Sequence, residues 1–343
     1  MADVTIMGAG VFGLSVAWSC LQKDAHVMVI DPHGVGGGSS GGVVGALAPH
    51  VPENWNEKKA FQFDSLIMAE AFWAEVAEAA GQSPGYARLG RLQPLADDRA
   101  VALAQERAVN AQTLWQSKAV WEVVAADTLD WAPPSATGLL AHDTLSARLH
   151  PRQASAALAA AIRARGGVIA TEGEPCGQVI WCTGVAGLKE LTEAHTRIVG
   201  NGVKGQGAVL DFNAANQPQL FVDALHFIPH EDGTTAIGST SERDYDDPTS
   251  TDTQLDEIIT RARQLVPALK DALVLKRWAG VRPRTRSRAP MLGNHPLRPD
   301  EFIANGGFKI GFGMAPKVGQ VMAELVLDGV DAIPSEFRPE MSY

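Results

Sequence analysis

The sequence is poor in cysteine and has no long apolar run. Its 343 residues include Cys20, Cys176 and Cys182, which lie in apolar or strand-like contexts and lack the spacing of a metal site. We therefore expect no disulfide framework, no metal site and a reducing, cytoplasmic location. No apolar stretch reaches the roughly 18–20 residues of a membrane helix. The N-terminal stretch has no basic region, so we predict neither a signal peptide nor a membrane partner.

Positive charge is also scarce. The formal net charge is -10 and the pI is about 5.4, which argues against general binding to nucleic acid. The chain is 45% hydrophobic and 20% charged, as is typical of a soluble globular protein. Its length suits one large domain or two modest ones. Its 34 glycines are clustered, which indicates places where the backbone closely approaches another group.

The first glycine cluster predicts a dinucleotide-binding turn. Residues 4–7 are typical of a short buried strand, and residues 14–21 of an apolar helix. Between them, Gly8, Gly10 and Gly13 form the pattern G-x-G-x-x-G. The first glycine allows the turn, the second lets a pyrophosphate reach the backbone amides, and the third lets the helix pack on the strand. The alternative is a glycine turn that binds nothing.

A second strand supports the dinucleotide interpretation and favours FAD over NAD. Residues 26–31 end in Asp31, 18 residues beyond Gly13, where a carboxylate accepts from a ribose hydroxyl. The chain then runs through "PHGVGGGSSGGVVGALAPH" instead of entering another helix and strand. Such a segment suits an extended ligand lying along it, and its apolar residues are unusual for a surface loop.

The remaining pattern predicts helices and β-strands inserted between the nucleotide-binding segments. We expect helices over 57–80, 98–118, 150–167 and 252–267, from their periodicity and glycine or proline boundaries. Residues 178–184 are typical of a buried strand. Further β-segments are predicted at 206–211, 219–223, 225–229 and 234–238, the last two joined by a hairpin at Glu231-Asp232-Gly233. Residues 302–329 predict a strand, a glycine-rich turn and a helix that begins near Ala315.

In order along the chain, these motifs resemble the D-amino-acid-oxidase family of flavoproteins, and most of all its glycine-oxidase branch. The resemblance is carried by "GAGVFGLSVAW", "GGGSSGGVVGALAPH", "HPRQASAALAAAIRARGG", "VIWCTG", "WAGVRPRT" and "GGFKIGFGMAPKVG". It implies an α/β fold with a discontinuous Rossmann-like FAD-binding domain and a substrate domain that has an antiparallel β-sheet and helices. The implied boundaries are 1–50, 138–190 and 278–343 for the first domain, and 51–137 and 191–277 for the second.

The resemblance also implies non-covalent FAD, because the cysteines do not fall in the segments expected to carry the flavin. The implied cofactor-binding residues are Gly8, Gly10, Val11, Phe12, Gly13, Asp31, Pro32, Ser39, Ser40, Gly45, Ala46, Leu47, Pro175, Thr183, Gly184, Arg282, Gly307, Phe308, Lys309, Gly311, Phe312, Gly313 and Met314. The amides of Gly311, Phe312 and Gly313 are expected to face the flavin edge where negative charge develops.

Three residues are the implied catalytic set. Arg282 is expected to grip a substrate carboxylate with two parallel donors. Lys309 is either a second carboxylate contact or a solvated lysine. His226 stands where relatives carry a tyrosine, and is either a substrate contact or a structural histidine. For Arg284, Arg286 and Arg288 a solvated surface role is favoured over steering of the substrate.

The implied reaction is oxidative deamination of a small amino acid or N-substituted glycine. Hydride passes to flavin N5, the imine hydrolyses, and O2 is the expected acceptor, giving H2O2. The expected partners are a small anionic amine and O2, and a homo-oligomer is compatible with the sequence. The alternatives are an oxidase for a carboxymethylaminomethyl uridine of tRNA, a D-amino acid dehydrogenase, an NAD(P)-linked reductase and a non-enzymatic interaction module. A reductase would need a second G-x-G-x-x-G motif, and the sequence has none.

Overall fold

The computed structural model describes residues 2–128 and 131–343. In these ranges six strands form one mixed sheet in the order β15-β16-β9-β1-β2-β8. Its members are β1 (Val4–Met7), β2 (Val27–Ile30), β8 (Val168–Ala170), β9 (Gln178–Trp181), β15 (Met291–Asn294) and β16 (Phe302–Asn305). Strands β1, β2, β8, β9 and β16 pair in parallel, and β15 is antiparallel to β16.

A second sheet is predominantly antiparallel and follows the order β14-β10-β13-β12-β11-β4-β6-β5 in the described part of the chain. Its strands are β4 (Arg91–Pro94), β5 (Trp121–Ala125), β6 (Leu139–Asp143), β10 (Gly200–Leu210), β11 (Gln219–Val222), β12 (Leu225–Pro229), β13 (Thr235–Gly238) and β14 (Val274–Thr285). A short antiparallel pair joins β3 (Ala46–Leu47) to β7 (Ala147–Arg148).

The helices cover the sheets, and four of the described helices begin at a side chain that caps them. They are α1 (Val11–Leu21), α2 (Glu57–Ala80), α3 (Asp98–Leu114), α4 (Pro151–Ala164), α5 (Gly184–Ala194), α6 (Thr253–Leu265) and α7 (Gly311–Ala323). Helix α2 has the predicted bounds because the Asn56 side chain accepts from the Lys59 amide and Gly81 ends the helix in the left-handed region. None of the described helices combines the length and apolar character needed to cross a membrane.

The largest core lies around the six-stranded sheet. Helix α1 is buried along its whole length, and α7, α2 and α4 contact one another or α1 around it. Fully buried Trp18, Trp73 and Trp115 belong to this core. A smaller core joins α6 to the eight-stranded sheet through residues such as Leu255 and Phe227. The six-stranded sheet is thus anchored by the helices that flank its glycine-rich turns.

Most predicted elements are confirmed, including the hairpin at Glu231-Asp232-Gly233, where β12 and β13 pair antiparallel. One expectation was wrong: helix α7 begins at Gly311, one turn before the predicted start at Ala315, and carries Pro316 inside it. Residues 274–285, for which no element was predicted, form one long strand at the edge of the larger sheet, a position where proline is tolerated.

The mixed α/β class is confirmed, but two predicted domain boundaries do not coincide with the sheets. Residue 278 lies inside β14, and β6 falls in the segment assigned to the FAD-binding domain, although both strands belong to the eight-stranded sheet. The division into two domains stays a prediction.

Candidate active site

One large cavity, of about 1080 Å³, is bounded by both sheets. Its wall combines the turn after β1, the glycine-rich segment after β2, the loop after β9, one face of β14 and the turn before α7. These segments are far apart in sequence and meet because β1, β2, β9 and β16 are neighbours in one sheet. The predicted site residues that line it are Gly8, Gly10, Val11, Phe12, Asp31, Pro32, Ser39, Ser40, Gly45, Ala46, Thr183, Gly184, His226, Arg282, Gly307, Phe308, Lys309, Gly311 and Phe312.

The glycine turn has the close contacts that its pattern predicts. A Cβ on Gly8 would lie 2.4 Å from the Cys182 carbonyl oxygen, and Gly8 has a φ of 117°. A Cβ on Gly13 would lie 1.9 Å from the Gly8 carbonyl oxygen. Gly10 differs, because its nearest neighbour would be the Ser40 hydroxyl oxygen at 3.4 Å, and it faces the cavity. Gly8 and Gly13 therefore allow close packing, and Gly10 leaves room for a ligand.

Polar side chains hold this turn against the glycine-rich segment. The Asp31 carboxylate accepts from the Ala9 amide at 2.7 Å through one oxygen and from the His33 amide at 2.9 Å through the other. The Ser40 hydroxyl accepts from the Val11 amide, the first in α1, at 2.9 Å. Asp31 lines the cavity, and each carboxylate oxygen can accept a further hydrogen bond. Asp31 can thus brace the turn and still accept from a ribose hydroxyl.

The wall fits an extended dinucleotide. A Cβ on Gly38 or on Gly184 would meet no protein atom within 4 Å, so at both positions a side chain would occupy ligand space. Gly311 and Phe312 place the N-terminal turn of α7 on the wall. Its first amides have no partner within the helix, which makes this end electropositive. Because α7 begins at Gly311, the predicted flavin-edge amides belong to the helix itself.

Five predicted cofactor residues do not line the cavity. Gly13 serves helix packing, Leu47 and Met314 are fully buried in the core, and Gly313 faces Leu66. Pro175 is exposed and lies outside the wall.

Cys182 lines the cavity, which corrects the assumption that the cysteines lie away from the flavin segments. Burial raises the pKa of its thiol, and a protonated thiol is a poor nucleophile. Non-covalent binding of the cofactor stays the prediction.

Arg282 projects from β14 into the cavity wall and is held by protein oxygens. Its Nη1 donates to the Ser239 hydroxyl at 2.8 Å, and its Nη2 donates to the carbonyls of Thr240 at 2.7 Å and Lys204 at 3.2 Å. A Cβ on Gly205 would lie 2.3 Å from Nη2, so the guanidinium lies flat on glycine. Burial lowers its pKa to about 10, although the Glu242 carboxylate opposes the shift.

These contacts differ from the two-donor fork that the sequence analysis predicts. Both protons of the Arg282 Nη2 go to backbone carbonyls, so this nitrogen has none left for a ligand. Its Nε–H, by contrast, is buried and has no partner in the part of the chain that the structure describes. Nη1 gives one proton to Ser239 and keeps a second. An anion in the cavity would therefore meet the fixed positive charge of a guanidinium whose two-donor fork is partly used by the protein.

Further positive charge surrounds Phe308, which takes the left-handed φ of 43°. Its ring centroid lies 5.7 Å from the Arg282 guanidinium carbon, 5.5 Å from that of Arg284 and 5.7 Å from the Lys309 ammonium. Desolvation lowers the pKa of Lys309, and the charges of Arg282 and Arg284 lower it further. Arg282 and Lys309 line the cavity, Arg284 does not, and Arg286 and Arg288 are exposed.

His226 also lines the cavity and is uncharged at neutral pH. Burial, with the nearby charges of Arg91 and Lys309, lowers its pKa to about 3. Its ring centroid lies 4.7 Å from that of Phe221. Its Nδ1 is buried without a partner among the described residues. The imidazole can therefore exchange a hydrogen bond with a bound molecule but adds no charge.

The sequence analysis missed several residues that surround this part of the cavity. Phe221, Ser239, Tyr245, Thr249 and Trp278 line it. Ser239 and Tyr245 lie after β13 in a segment with no motif, so only strand order brings them to the wall.

Comparison with known proteins gives the family. The profile of the FAD-dependent oxidoreductase family DAO matches residues 3–325. The chain belongs to this family. As in other flavoproteins, FAD is therefore the cofactor of this oxidoreductase, and the glycine turn, Asp31 and the N-terminus of α7 are the parts of the cavity suited to hold it.

The flavoprotein is similar to glycine oxidases along its whole length. It is 24% identical over 377 residues to glycine oxidase of Pseudomonas putida, covering 98% of both chains. It is 25% identical over 379 residues to the bifunctional protein ThiO/ThiG of Synechocystis sp., covering 99% of this chain but only 54% of that longer protein.

Two solved structures share the fold of this family member. Glycine oxidase from Geobacillus kaustophilus superposes with a TM-score of 0.85 at 18% identity and covers 98% of both chains. Iminodiacetate oxidase from Chelativorans sp. BNC1 superposes with a TM-score of 0.84 at 21% identity and also covers 98% of both chains. At these identities the likeness shows a common fold.

Proposed function

We propose that this flavoprotein oxidises a small amine that carries a carboxylate, such as glycine, an N-substituted glycine or a small D-amino acid. The observation that carries the proposal is the buried positive charge of Arg282 on the cavity wall. The glycine oxidases and the iminodiacetate oxidase among its relatives support the same substrate class.

The charge balance of the cavity supports an anionic substrate. Its described lining includes the cations Arg282 and Lys309, the neutral His226 and a single carboxylate, Asp31, which braces the glycine turn. Glu242 lies behind Arg282 and is engaged by Gln206 and Lys204. A substrate carboxylate would thus meet two positive charges without a competing acid at that wall, in a partly desolvated site where ion pairing is strengthened.

The residues of the chain bind the substrate and orient it. Arg282 is fixed before a substrate arrives, because its contacts to Ser239, Thr240 and Lys204 hold the guanidinium in place. His226 can accept from the amine through an unprotonated ring nitrogen, which would help orient the amine. Bound FAD would supply the hydride acceptor for the carbon next to that nitrogen, and hydrolysis of the imine would give a carbonyl compound and ammonia or an amine. We propose O2 as the final acceptor, with H2O2 as its product.

The test is anaerobic reduction of the purified holoenzyme by candidate substrates. Reduction is monitored as the loss of the absorbance of oxidised flavin. The panel is glycine, sarcosine, iminodiacetate, D-alanine and D-proline, with dimethylamine as the counterpart of sarcosine without a carboxylate. Sarcosine should reduce the flavin at least about 30-fold faster than dimethylamine, since a desolvated ion pair is worth roughly 2–5 kcal/mol. Equal rates would contradict the proposal, as would a panel that leaves the flavin oxidised.

Acceptor choice needs a separate measurement. With the best substrate, an oxidase should produce one H2O2 per substrate consumed in air-saturated buffer. A dehydrogenase would turn over only when an artificial electron acceptor is added. Acid precipitation of the same preparation should release FAD to the supernatant. Flavin retained in the pellet would contradict non-covalent binding.

A further inference from the structure

A cluster of possible metal ligands lies outside the lining of the flavin cavity. His150 immediately precedes α4, and His230 and Asp232 lie on the turn between β12 and β13. One ligand atom from each of the three side chains lies within 4.8 Å of the other two. The two imidazole centroids are 4.5 Å apart. The cluster joins two segments separated by about 80 residues of sequence.

A hydrogen-bond chain prepares His230 as a ligand. The Thr234 hydroxyl donates to the Asp232 carboxylate at 2.7 Å and lies 3.2 Å from the His230 Nδ1. Because the hydroxyl proton is already used, Nδ1 must carry the proton of that second contact. The lone pair is then on Nε2, which is buried and has no hydrogen-bond partner among the described residues. His230 is completely buried, and a buried ring nitrogen without a partner is unfavourable unless something binds it.

We propose that His150, His230 and Asp232 form a binding site for one divalent transition-metal ion of the zinc class. Two imidazoles and a carboxylate are a ligand set that such ions accept, with water completing the coordination. The contact from His230 Nδ1 to Thr234 would then be the outer hydrogen bond that orients a metal-bound histidine. This inference is independent of the proposed substrate.

Other charges act on the cluster in both directions. Glu231 and Asp232 act on Arg148, whose guanidinium is held by the Gly85 and Ala215 carbonyls. Arg152 and Lys276 also act on His150, and both are exposed, so water and salt screen their repulsion of a cation.

Small movements would complete the coordination. Ligand atoms of a tetrahedral zinc site are separated by about 3.3 Å, as follows from bonds of about 2.0–2.1 Å. The ligand atoms of the three side chains, which now lie within 4.8 Å of one another, must come closer together. The side chain of Asp232 can move toward the two histidines, because it is exposed and lies on a turn. The His150 Nδ1 accepts from the Gln153 amide at 3.5 Å, a long contact whose rearrangement costs little.

A bound ion would brace one wall of the flavin cavity. Leu149, next to His150, donates its amide to the Gly45 carbonyl at 3.1 Å, and Gly45 lines the cavity. Gly45 packs closely against Leu149, because a Cβ on Gly45 would lie 1.9 Å from the Leu149 carbonyl oxygen. Linking His150 to the β12–β13 turn would therefore restrain the segment after β2, and we expect a structural rather than a chemical role for the ion.

The test uses holoenzyme that has been treated with a chelator and then dialysed. Zn2+ binding is measured by competition with a chromophoric chelator, and Co2+ is used as a spectroscopic probe. We expect one ion per chain, visible Co2+ absorption typical of a four-coordinate nitrogen and oxygen site, and a raised Tm when Zn2+ is added. Absence of tight, one-to-one binding would overturn the proposal.

Two variants locate the ion. His230→Gln and Asp232→Asn should each weaken Zn2+ binding at least about tenfold and remove the Co2+ absorption. The control His142→Gln alters a half-buried histidine that pairs with Glu122 and should leave both signals unchanged. Asp232 is exposed, so Asp232→Asn keeps the test valid if His230→Gln does not fold. Unchanged binding in Asp232→Asn, with FAD content intact, would overturn the site.

Discussion

The substitution Arg282→Ala separates binding of a substrate carboxylate from general electrostatic attraction. It removes a buried positive charge on the cavity wall. The matched control is Arg286→Ala, which removes the same charge from an exposed position four residues further along the chain. A third variant, Arg282→Lys, keeps the charge but loses the planar donors.

The expected size of the effect follows from burial. A charged pair that is desolvated on binding loses roughly 3–5 kcal/mol when one partner is truncated, which corresponds to a fall in kcat/KM of about 10²–10⁴. Arg286→Ala should change kcat/KM by less than about tenfold, because an exposed charge acts through screened, long-range attraction. Arg282→Lys should fall between the two, since an ammonium cannot reproduce the contacts to Thr240 and Lys204.

The assay is steady-state turnover of the best carboxylate substrate at low and high ionic strength, with FAD content and Tm measured on the same preparations. A loss confined to Arg282→Ala, and nearly independent of salt, supports carboxylate binding. Equal and strongly salt-dependent losses in Arg282→Ala and Arg286→Ala would refute it in favour of steering. Loss of flavin from Arg282→Ala would show a structural role, and Arg282→Lys would then carry the comparison.

Three further predictions concern the cofactor, pH and the core. Asp31→Ala should weaken FAD binding by about 1–3 kcal/mol, since hydroxyls lose an ionic acceptor and the Ala9 amide loses its partner; unchanged affinity by fluorescence titration would contradict the ribose contact. His230 has a pKa of about 3 when folded, against 6.5 ordinarily, so its contribution to stability is complete above pH 6.5 and lost as the pH falls toward 3. The free energy of unfolding is measured with urea at pH 7.5 and at pH 5.5, in the presence of chelator. Its change between the two pH values should be about 1 kcal/mol smaller in His230→Gln than in the parent. An equal change in both proteins would argue against a neutral buried ring. Asp143→Asn should lower the free energy of unfolding by about 3–5 kcal/mol, because Arg91 loses its buried partner at 3.0 Å; a Tm within error of the parent would contradict this.

Local signals predicted the elements that begin and end with strong caps. Helix α2 is one, since Asn56 and Gly81 fix both ends. Strand β14 was missed because its Gly and Pro residues disfavour a strand, and only pairing with β10 along its length makes it one. Helix α7 starts early because packing against α1 and α2 overrides Pro316. Tertiary contacts thus decided the elements that propensity misjudged.

The site was predictable where a motif fixes the backbone. Gly8, Gly10 and Asp31 lie at the cavity as expected, because strand–turn–helix geometry leaves little freedom. Ser239 and Tyr245 were not predictable, since their place depends on how β13 pairs with β10 and β12. The bonding of the Arg282 donors also depends on this pairing, which brings the Thr240 and Lys204 carbonyls to the guanidinium.

The double engagement of Arg282 also limits how the enzyme's specificity can evolve. The same guanidinium that faces the cavity joins β10, β14 and the segment after β13 through the Lys204 and Thr240 carbonyls. A lineage that replaced it to accept an uncharged amine would remove the guanidinium donor from the Thr240 carbonyl and one of the two donors of the Lys204 carbonyl, and so weaken its own scaffold. Neighbours without such contacts, such as His226 with its unpartnered Nδ1 in the described structure, can vary at lower cost. Specificity for new substrates should therefore arise first by substitution of residues around a retained arginine. The proposed requirement for a carboxylate would then persist while the rest of the substrate changes.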